Sequence, residues 1–216
     1  PIGDSNCVGC GQCAAVCPTG AIIIKNDSHR LWKELNQEDT IAVAQVAPAV
    51  RVAVAKEFGY NGENVMGKIV AALRRIGFNY IFDTSTAADL TVMEESKEFA
   101  DRLANGGKLP LFTSCCPAWI KYAENEYPEI LPNISTCRSP MQMFASVINE
   151  KFKGEGKKIL SVAIMPCTAK KGEAARDEFK DENGKPLVDF VITTQELIMM
   201  IKEAGIVFNE IEPEAV

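Results

Sequence analysis

The sequence predicts an α/β fold built from parallel βαβ units, preceded by a short cysteine-rich segment. Three observations carry this. Apolar, β-branched runs alternate with longer helical patterns, the alternation expected of parallel units. Two of the apolar runs, in Leu109–Trp119 and Ile159–Met165, lead into cysteines and then into helix-start signals. Four of the eight cysteines crowd into the first seventeen residues.

The elements follow from local pattern. Asn26–Thr40 is polar and charged and reads as a linker. Thr40–Val46 is apolar and β-branched, a buried strand ended by Pro48. Val50–Phe58 and Val65–Ile76 read as helices, the second closed by Gly77. Asn79–Asp83 reads as a strand, and Ala87–Asn105 as a long helix ended by Gly106-Gly107. Leu109–Phe112 reads as a strand stopping at Thr113-Ser114, and Pro117 then opens a helix that runs to Tyr127. Ser139 caps a helix over 140–153, and Ile159–Met165 is the next strand, with a helix through Glu173. Val188–Ile192 is a strand. Thr193 caps the following helix, and Glu196 three residues on completes a capping box. Val207–Val216 reads as the start of a further element, so the chain is expected to stop partway through a fold.

Composition removes several function classes. The 216 residues carry a net charge of −6, with no basic block to favour nucleic acid. No apolar run has the length of a membrane span. Eight cysteines would make an even disulfide count, but their clustering and ligand-like spacing argue for metal instead. The single histidine, His29, argues against zinc-enzyme and triad chemistry and reads as an exposed loop residue.

Cys7-Val-Gly-Cys10-Gly-Gln-Cys13-Ala-Ala-Val-Cys17-Pro is the C-x2-C-x2-C-x3-C-P run of bacterial ferredoxins. Cys7, Cys10 and Cys13 are spaced to wrap one 4Fe–4S cubane. Cys17, the fourth, would ligate a second cluster. A zinc knuckle fits less well, because its C-x2-C pairs are separated by a longer insert. Residues 1–25 therefore form an expected partial ferredoxin-like segment, and 26–216 the α/β domain. Cys115 and Cys116 stand at an expected helix N-terminus, where free N–H groups and the helix dipole suit thiolates. Cys167 follows the second strand, and ligands of open α/β sheets sit beyond the carboxyl ends of strands. Cys116 and Cys167 are thus candidates to share one cofactor.

Three stretches together resemble iron-only (FeFe) hydrogenases: the ferredoxin run, Thr-Ser-Cys115-Cys116-Pro-Ala-Trp, and Met165-Pro-Cys167-Thr-Ala-Lys170-Lys-Gly-Glu. The resemblance covers almost the whole chain from Cys7. It implies the H-cluster domain of that family, and reversible formation of hydrogen from protons and electrons. The implied cofactors are 4Fe–4S clusters and an H-cluster, a cubane joined to a two-iron site with carbon monoxide, cyanide and an azadithiolate. Cys116 and Cys167 resemble ligands of that cubane, and Cys115 the cysteine that hands protons to the two-iron site. Glu95 and Glu98, three apart on one helix face, would ordinarily be a solvated acidic surface. Their surroundings resemble the family's proton-channel helix, with Ser135 as the serine bridging the two carboxylates. Lys170 resembles the lysine holding a cyanide, with Lys171 an ordinary surface lysine. Ala47, Pro48 and Met165 resemble the apolar lining. At Ala49 some members carry a serine that contacts the cluster. Cys137 is expected to be a core cysteine.

The third signature motif and the upstream ferredoxin run are absent, so the resemblance implies an internal fragment. Its partners would be ferredoxin or another electron carrier, and possibly other hydrogenase subunits, in the cytoplasm or the periplasm. The competing reading is a non-enzymatic Narf-like protein of iron–sulfur assembly, a group that resembles this chain less because it lacks the proton-transfer cysteine.

Overall fold

The computed structural model describes residues 2 and 5–216. Pro1, Gly3 and Asp4 of the expected 1–25 segment lie outside the described residues. The elements run α1 (Gln12–Val16), α2 (Ser28–Leu35), β1 (Thr40–Val46), α3 (Pro48–Glu57), α4 (Met66–Ile76), β2 (Tyr80–Asp83), α5 (Ser85–Asn105), α6 (Pro117–Glu126), α7 (Pro140–Lys151), β3 (Lys158–Met165), α8 (Ala169–Ala174), β4 (Phe190–Thr193) and α9 (Thr194–Glu203). A 3-10 turn spans Pro128–Asn133 and another Asp177–Phe179.

The four strands form one parallel sheet in the order β2-β1-β3-β4. The central pair is in register from Thr40 opposite Lys158 to Val46 opposite Ile164. A strand buried on both faces reads as a continuous apolar run. Accordingly Ala42–Val46 of β1 and Leu160–Met165 of β3 are all buried. Side chains alternate across the sheet. Ala42, Ala44 and Val46 point into a core shared with α3, α4 and α9, while Val43 joins Phe144 and Ile148 of α7 and Ala87 of α5 on the other face. Gln45 is polar on that second face. Burying its amide is tolerable because it donates to the Met141 carbonyl (3.0 Å) and accepts from the Thr84 hydroxyl (3.4 Å).

Because all four strands are parallel, their carboxyl ends share one edge. Ala47-Pro48 leaves β1 there, Pro166-Cys167 leaves β3, and the Ala47 N–H donates to the Ile164 carbonyl (3.0 Å), tying the two exits together.

Four expectations need correction. Leu109–Phe112 is not a strand. Pro110 has no N–H to give a ladder, Leu109 is exposed, and only Phe112 forms a bridge, to Ile134. The apolar side chains serve a local contact instead, Phe112 edge-on to Trp119 with centroids 5.9 Å apart. Asn26–Thr40 is more than a linker. Its charges obscure α2, whose Leu31 and Ser28 are fully buried, with Asn26 accepting from the Ser28 N–H (2.8 Å) at the helix start. His29 is exposed, as expected, but on this helix and not in a loop. Val207–Val216 forms no helix or strand. It lies against α3 and α4: Phe208 stacks on Phe58 at the end of α3 (4.3 Å), and Lys68 of α4 donates to the Asn209 and Ile211 carbonyls. Gly67 allows this approach, since a Cβ there would stand 2.7 Å from Pro213.

The capping box of α9 is formed in full. Glu196 N–H donates to the Thr193 hydroxyl (3.2 Å), and the Thr193 N–H to the Glu196 carboxylate (2.6 Å). Thr193→Ala is expected to cost about 1 kcal/mol of stability. The check is a lower urea midpoint at unchanged slope.

Candidate functional site

The Cys7–Cys17 loop turns tightly because Gly9 and Gly11 adopt left-handed φ values of 72° and 79°, a region costly for any residue with a Cβ. Cys7, Cys10 and Cys13 are exposed and Cys17 is half-buried. The Thr19 hydroxyl and the Ile22 backbone N–H hold the Cys17 thiol down to about 6 from its ordinary 9. A thiol so stabilised as thiolate is in the form that binds metal. Among the described residues, no three His, Cys, Asp or Glu side chains converge as they would on a single ion. A cubane is held at its separate corners, so its thiolates need to ring a volume and not a point. An all-cysteine donor set on a glycine-turned loop fits that group.

The second set of cysteines stands over the carboxyl edge of the sheet. Cys116 is the extended N-cap of α6, followed by Pro117 at N1. Cys115 and Cys116 are exposed and Cys167, just past β3, is half-buried. Lys170 links these two places: its ammonium donates to the Cys115 carbonyl (2.9 Å) and pairs with Glu173. Glu173 is buried, and its other carboxylate oxygen accepts from the Ser139 hydroxyl. The loop carrying Cys115 is thereby fastened to α8, although it is not a strand of the sheet. Lys170 thus already holds two protein acceptors where the resemblance implied a cyanide. Glu173 carried no expected role. Its i+3 spacing from Lys170 was the available clue.

On α5, Glu98 accepts from the Ser135 hydroxyl (2.8 Å) and the Thr136 N–H (3.1 Å), and pairs with Arg102. Burial pushes the Glu98 carboxyl up, but Ser135, Arg102 and Thr136 outweigh it and hold it below the ordinary value. Ser135 reaches Glu98; no hydrogen bond joins it to Glu95 among the described residues. One carboxylate oxygen of Glu95 is buried without a partner. Two residues outside the expected set belong to this cluster. Arg102 also donates to the Lys108, Pro132 and Ile134 carbonyls, pinning the 108–134 loops to α5. Cys137 is half-buried and not a core cysteine. Its thiol lies 3.7 Å from Glu98, and burial pushes it up, with the neighbouring carboxylates adding to the effect. A cavity of about 480 Å³ adjoins both places, its lining including Ser135 and Cys137 of this cluster and Ser114, Pro117 and Glu173 near the paired cysteines.

Ala47 and Met165 are buried beneath the shared edge, with Pro48 exposed. Lys171 is the clearest departure from expectation. It is not a surface lysine: its side chain is 13% exposed and contacts Asp27, Glu196 and the Val191 carbonyl at 2.7–3.0 Å.

A parallel α/β domain with cysteines at the carboxyl edge of its sheet, preceded by a ferredoxin-type cysteine loop, defines an iron–sulfur protein of oxidoreductase type. Residues 40–216 match the family model for the iron only hydrogenase large subunit, C-terminal domain, and residues 1–23 that for a 4Fe-4S binding domain. The chain belongs to the iron-only hydrogenase large-subunit family. It is 44% identical over 99% of its length to the NADP-reducing hydrogenase subunit HndD of Solidesulfovibrio fructosivorans, covering 38% of that protein. It is 34% identical over 96% of its length to cytosolic iron-sulfur assembly component 3 of Bos taurus, covering 47% of that protein. The apo FeFe-hydrogenase HydA1 of Chlamydomonas reinhardtii, a single-substitution variant, superposes with a TM-score of 0.81 at 37% identity, over 88% of this chain and 50% of that one. The chain therefore spans half or less of each of these relatives.

Proposed function

We propose that the chain is the part of a hydrogen-forming enzyme that carries an electron-entry segment, residues 1–25, and the first portion of the H-cluster domain, residues 26–216. The observation that supports this best is the Lys170 bond to the Cys115 carbonyl (2.9 Å), which fastens the double-cysteine loop to the helix that follows Cys167. Cys116 and Cys167 would hold two corners of a cubane. Cys7, Cys10 and Cys13 would hold a second cubane, with Cys17 turned to a further one. When bound, the H-cluster supplies the iron at which protons and electrons combine. The protein's own contribution is threefold. Ala47, Pro48 and Met165 keep the site apolar. Lys170 offers a cationic donor to an anionic ligand. Glu98, Ser135, Glu95 and Cys115 would move protons inward from α5, a thiol being suited to the last transfer because its ordinary pKa lies far nearer neutrality than a hydroxyl's.

The expected partners are ferredoxin or another electron carrier, and further subunits, in keeping with the subunit name of the HndD relative. No helix among the described residues is long and apolar enough to cross a membrane.

A second reading, an iron–sulfur assembly protein without hydrogenase activity, is favoured by the relatedness to the Bos taurus assembly component. Cys115 separates the two, since a protein that only carries clusters has no need of a relay thiol beside a ligand.

The 216-residue chain alone is expected to evolve no hydrogen from reduced methyl viologen, even when the two-iron cofactor is supplied. Cys116 and Cys167 are only two thiolates for a cubane of four irons. Anaerobic reconstitution is expected to load one cluster on Cys7, Cys10 and Cys13, counted by iron analysis and EPR. Measurable hydrogen from this chain, or two stable cubanes on residues 1–25, would sink the assignment of ligands.

A further inference from the structure

The two cysteine loops meet at Thr168. This residue occupies the N-cap position of α8, where a threonine hydroxyl normally accepts a bond from the second or third helical N–H. Here it makes no such cap bond. Its hydroxyl donates to the Gly9 carbonyl (2.6 Å), between Cys7 and Cys10. The loops also touch sterically. A Cβ on Gly11 would stand 2.9 Å from the Thr168 hydroxyl oxygen and 3.3 Å from its methyl, and one on Gly9 would stand 3.6 Å from the Ala169 Cα. Gly11, which helps turn the first loop, therefore also lets it lie close on the second, while a Cβ on Gly9 would make only ordinary contact.

We propose that Thr168 is a positioning residue. Its hydroxyl clasps the Gly9 carbonyl and sets the spacing between the Cys7–Cys13 loop and the Cys167 loop. The proposal rests on the reading that both loops hold clusters. It adds the residue that fixes one relative to the other. From the Cys10 sulfur to the Cys167 sulfur, the route runs through the Gly9 carbonyl, this hydrogen bond and the Thr168 backbone.

The test compares the full 216-residue chain with Thr168→Val, which keeps the branched shape and loses the hydroxyl, and with Thr168→Ser, which keeps the hydroxyl. The reporters are the Ala14 and Ala15 amides of α1, which donate to the Gly11 carbonyl at 3.1 Å. One net hydrogen bond corresponds to about three- to tenfold in their exchange. Exchange should quicken by that factor in Thr168→Val and return to the wild-type rate in Thr168→Ser. The EPR spectrum of the reduced segment cluster should change in the first variant and be restored in the second. Unchanged exchange in Thr168→Val overturns the proposal, as does equally fast exchange in Thr168→Ser. Faster exchange with an unaltered spectrum reduces Thr168 to ordinary packing and also overturns it. If the wild-type chain takes up no iron on residues 5–25, the cluster reading fails. The exchange measurements need no iron and still decide whether Thr168 clasps Gly9.

Discussion

Cys115→Ser in the full-length parent enzyme is expected to lower hydrogen evolution by about 10²–10⁴-fold, the usual weight of a positioned proton-transfer group. The clusters should remain. Cys115 offers its carbonyl to Lys170, and serine keeps that backbone contact and nearly the same volume. What changes is the acidity of the side chain. Cys115→Asp should retain more activity, because a carboxyl enclosed by the rest of the parent enzyme would have a raised pKa and could both take and give a proton. Cys116→Ser should behave differently and lose the H-cluster itself, since a ligand is removed. Glu95→Gln should slow turnover with iron content unchanged, and it is a cleaner test than Glu98→Gln. Glu98 is paired with Arg102 and bonded to Ser135 and Thr136, so its amide variant disturbs the loops as well as the relay. Hydrogen evolution must be measured beside the infrared bands of the H-cluster. Full activity in Cys115→Ser, or normal bands in Cys116→Ser, would show that the adjacent pair is not divided into relay and ligand.

Lys171→Met is expected to destabilise the chain by about 3–5 kcal/mol at pH 7, the usual result of removing one member of a buried ionic cluster. Methionine matches the length of the stem, so the loss is electrostatic. The side chains of Asp27 and Glu196 are 8% and 6% exposed, and the variant leaves both carboxylates without the cation between them. Lys25 and Arg30 still reach Asp27 from the solvent side, at 3.4 and 3.2 Å. The pH dependence carries a definite sign. Burial pushes the Asp27 carboxyl up, but Lys171 and Lys25 outweigh it and hold it below the ordinary 3.8. A depressed carboxyl contributes stability above its unfolded value, and that contribution is lost as pH falls through its folded value. Without Lys171 the depression is relieved, so the gap between wild type and variant should narrow as pH falls from 7 to below 4. Urea unfolding at pH 7 and pH 3 measures it. A gap of equal size at both values would mean that packing, and not charge, is what Lys171 supplies.

Much of the fold was legible from local pattern. The strands at 40–46 and 158–165, the helix after Gly107's loop beginning at Pro117, and the box at Thr193 and Glu196 each announce themselves within a few neighbours. The failures share a cause. Leu109–Phe112 has the hydrophobicity of a strand but needs neighbouring strands to accept its backbone, and the sheet closes with β2 and β4 at its edges. The helix at 28–35 is too short for its two or three apolar positions to stand out among charges. Only the surface it meets makes Leu31 a core residue.

The same division runs through the candidate site. Sequence by itself determined the family, because ligand spacing such as Cys7 to Cys17 is a property of the chain's own geometry over a few residues. It also determined that Cys115, Cys116 and Cys167 stand near helix starts, since Pro117 and the run before Cys167 mark those boundaries locally. Tertiary structure alone decided what lies across the chain from what. Neighbouring Lys170 and Lys171 are alike in sequence, yet one fastens the Cys115 loop while the other is enclosed with Asp27 and Glu196. Arg102, Cys137 and Glu173 acquire partners 30 or more residues away. Thr168 bonds Gly9, 159 residues distant. Charge pairing and hydrogen bonding act over a few ångströms of space and are indifferent to separation along the chain, so they are settled only when the sheet brings its carboxyl ends to one edge.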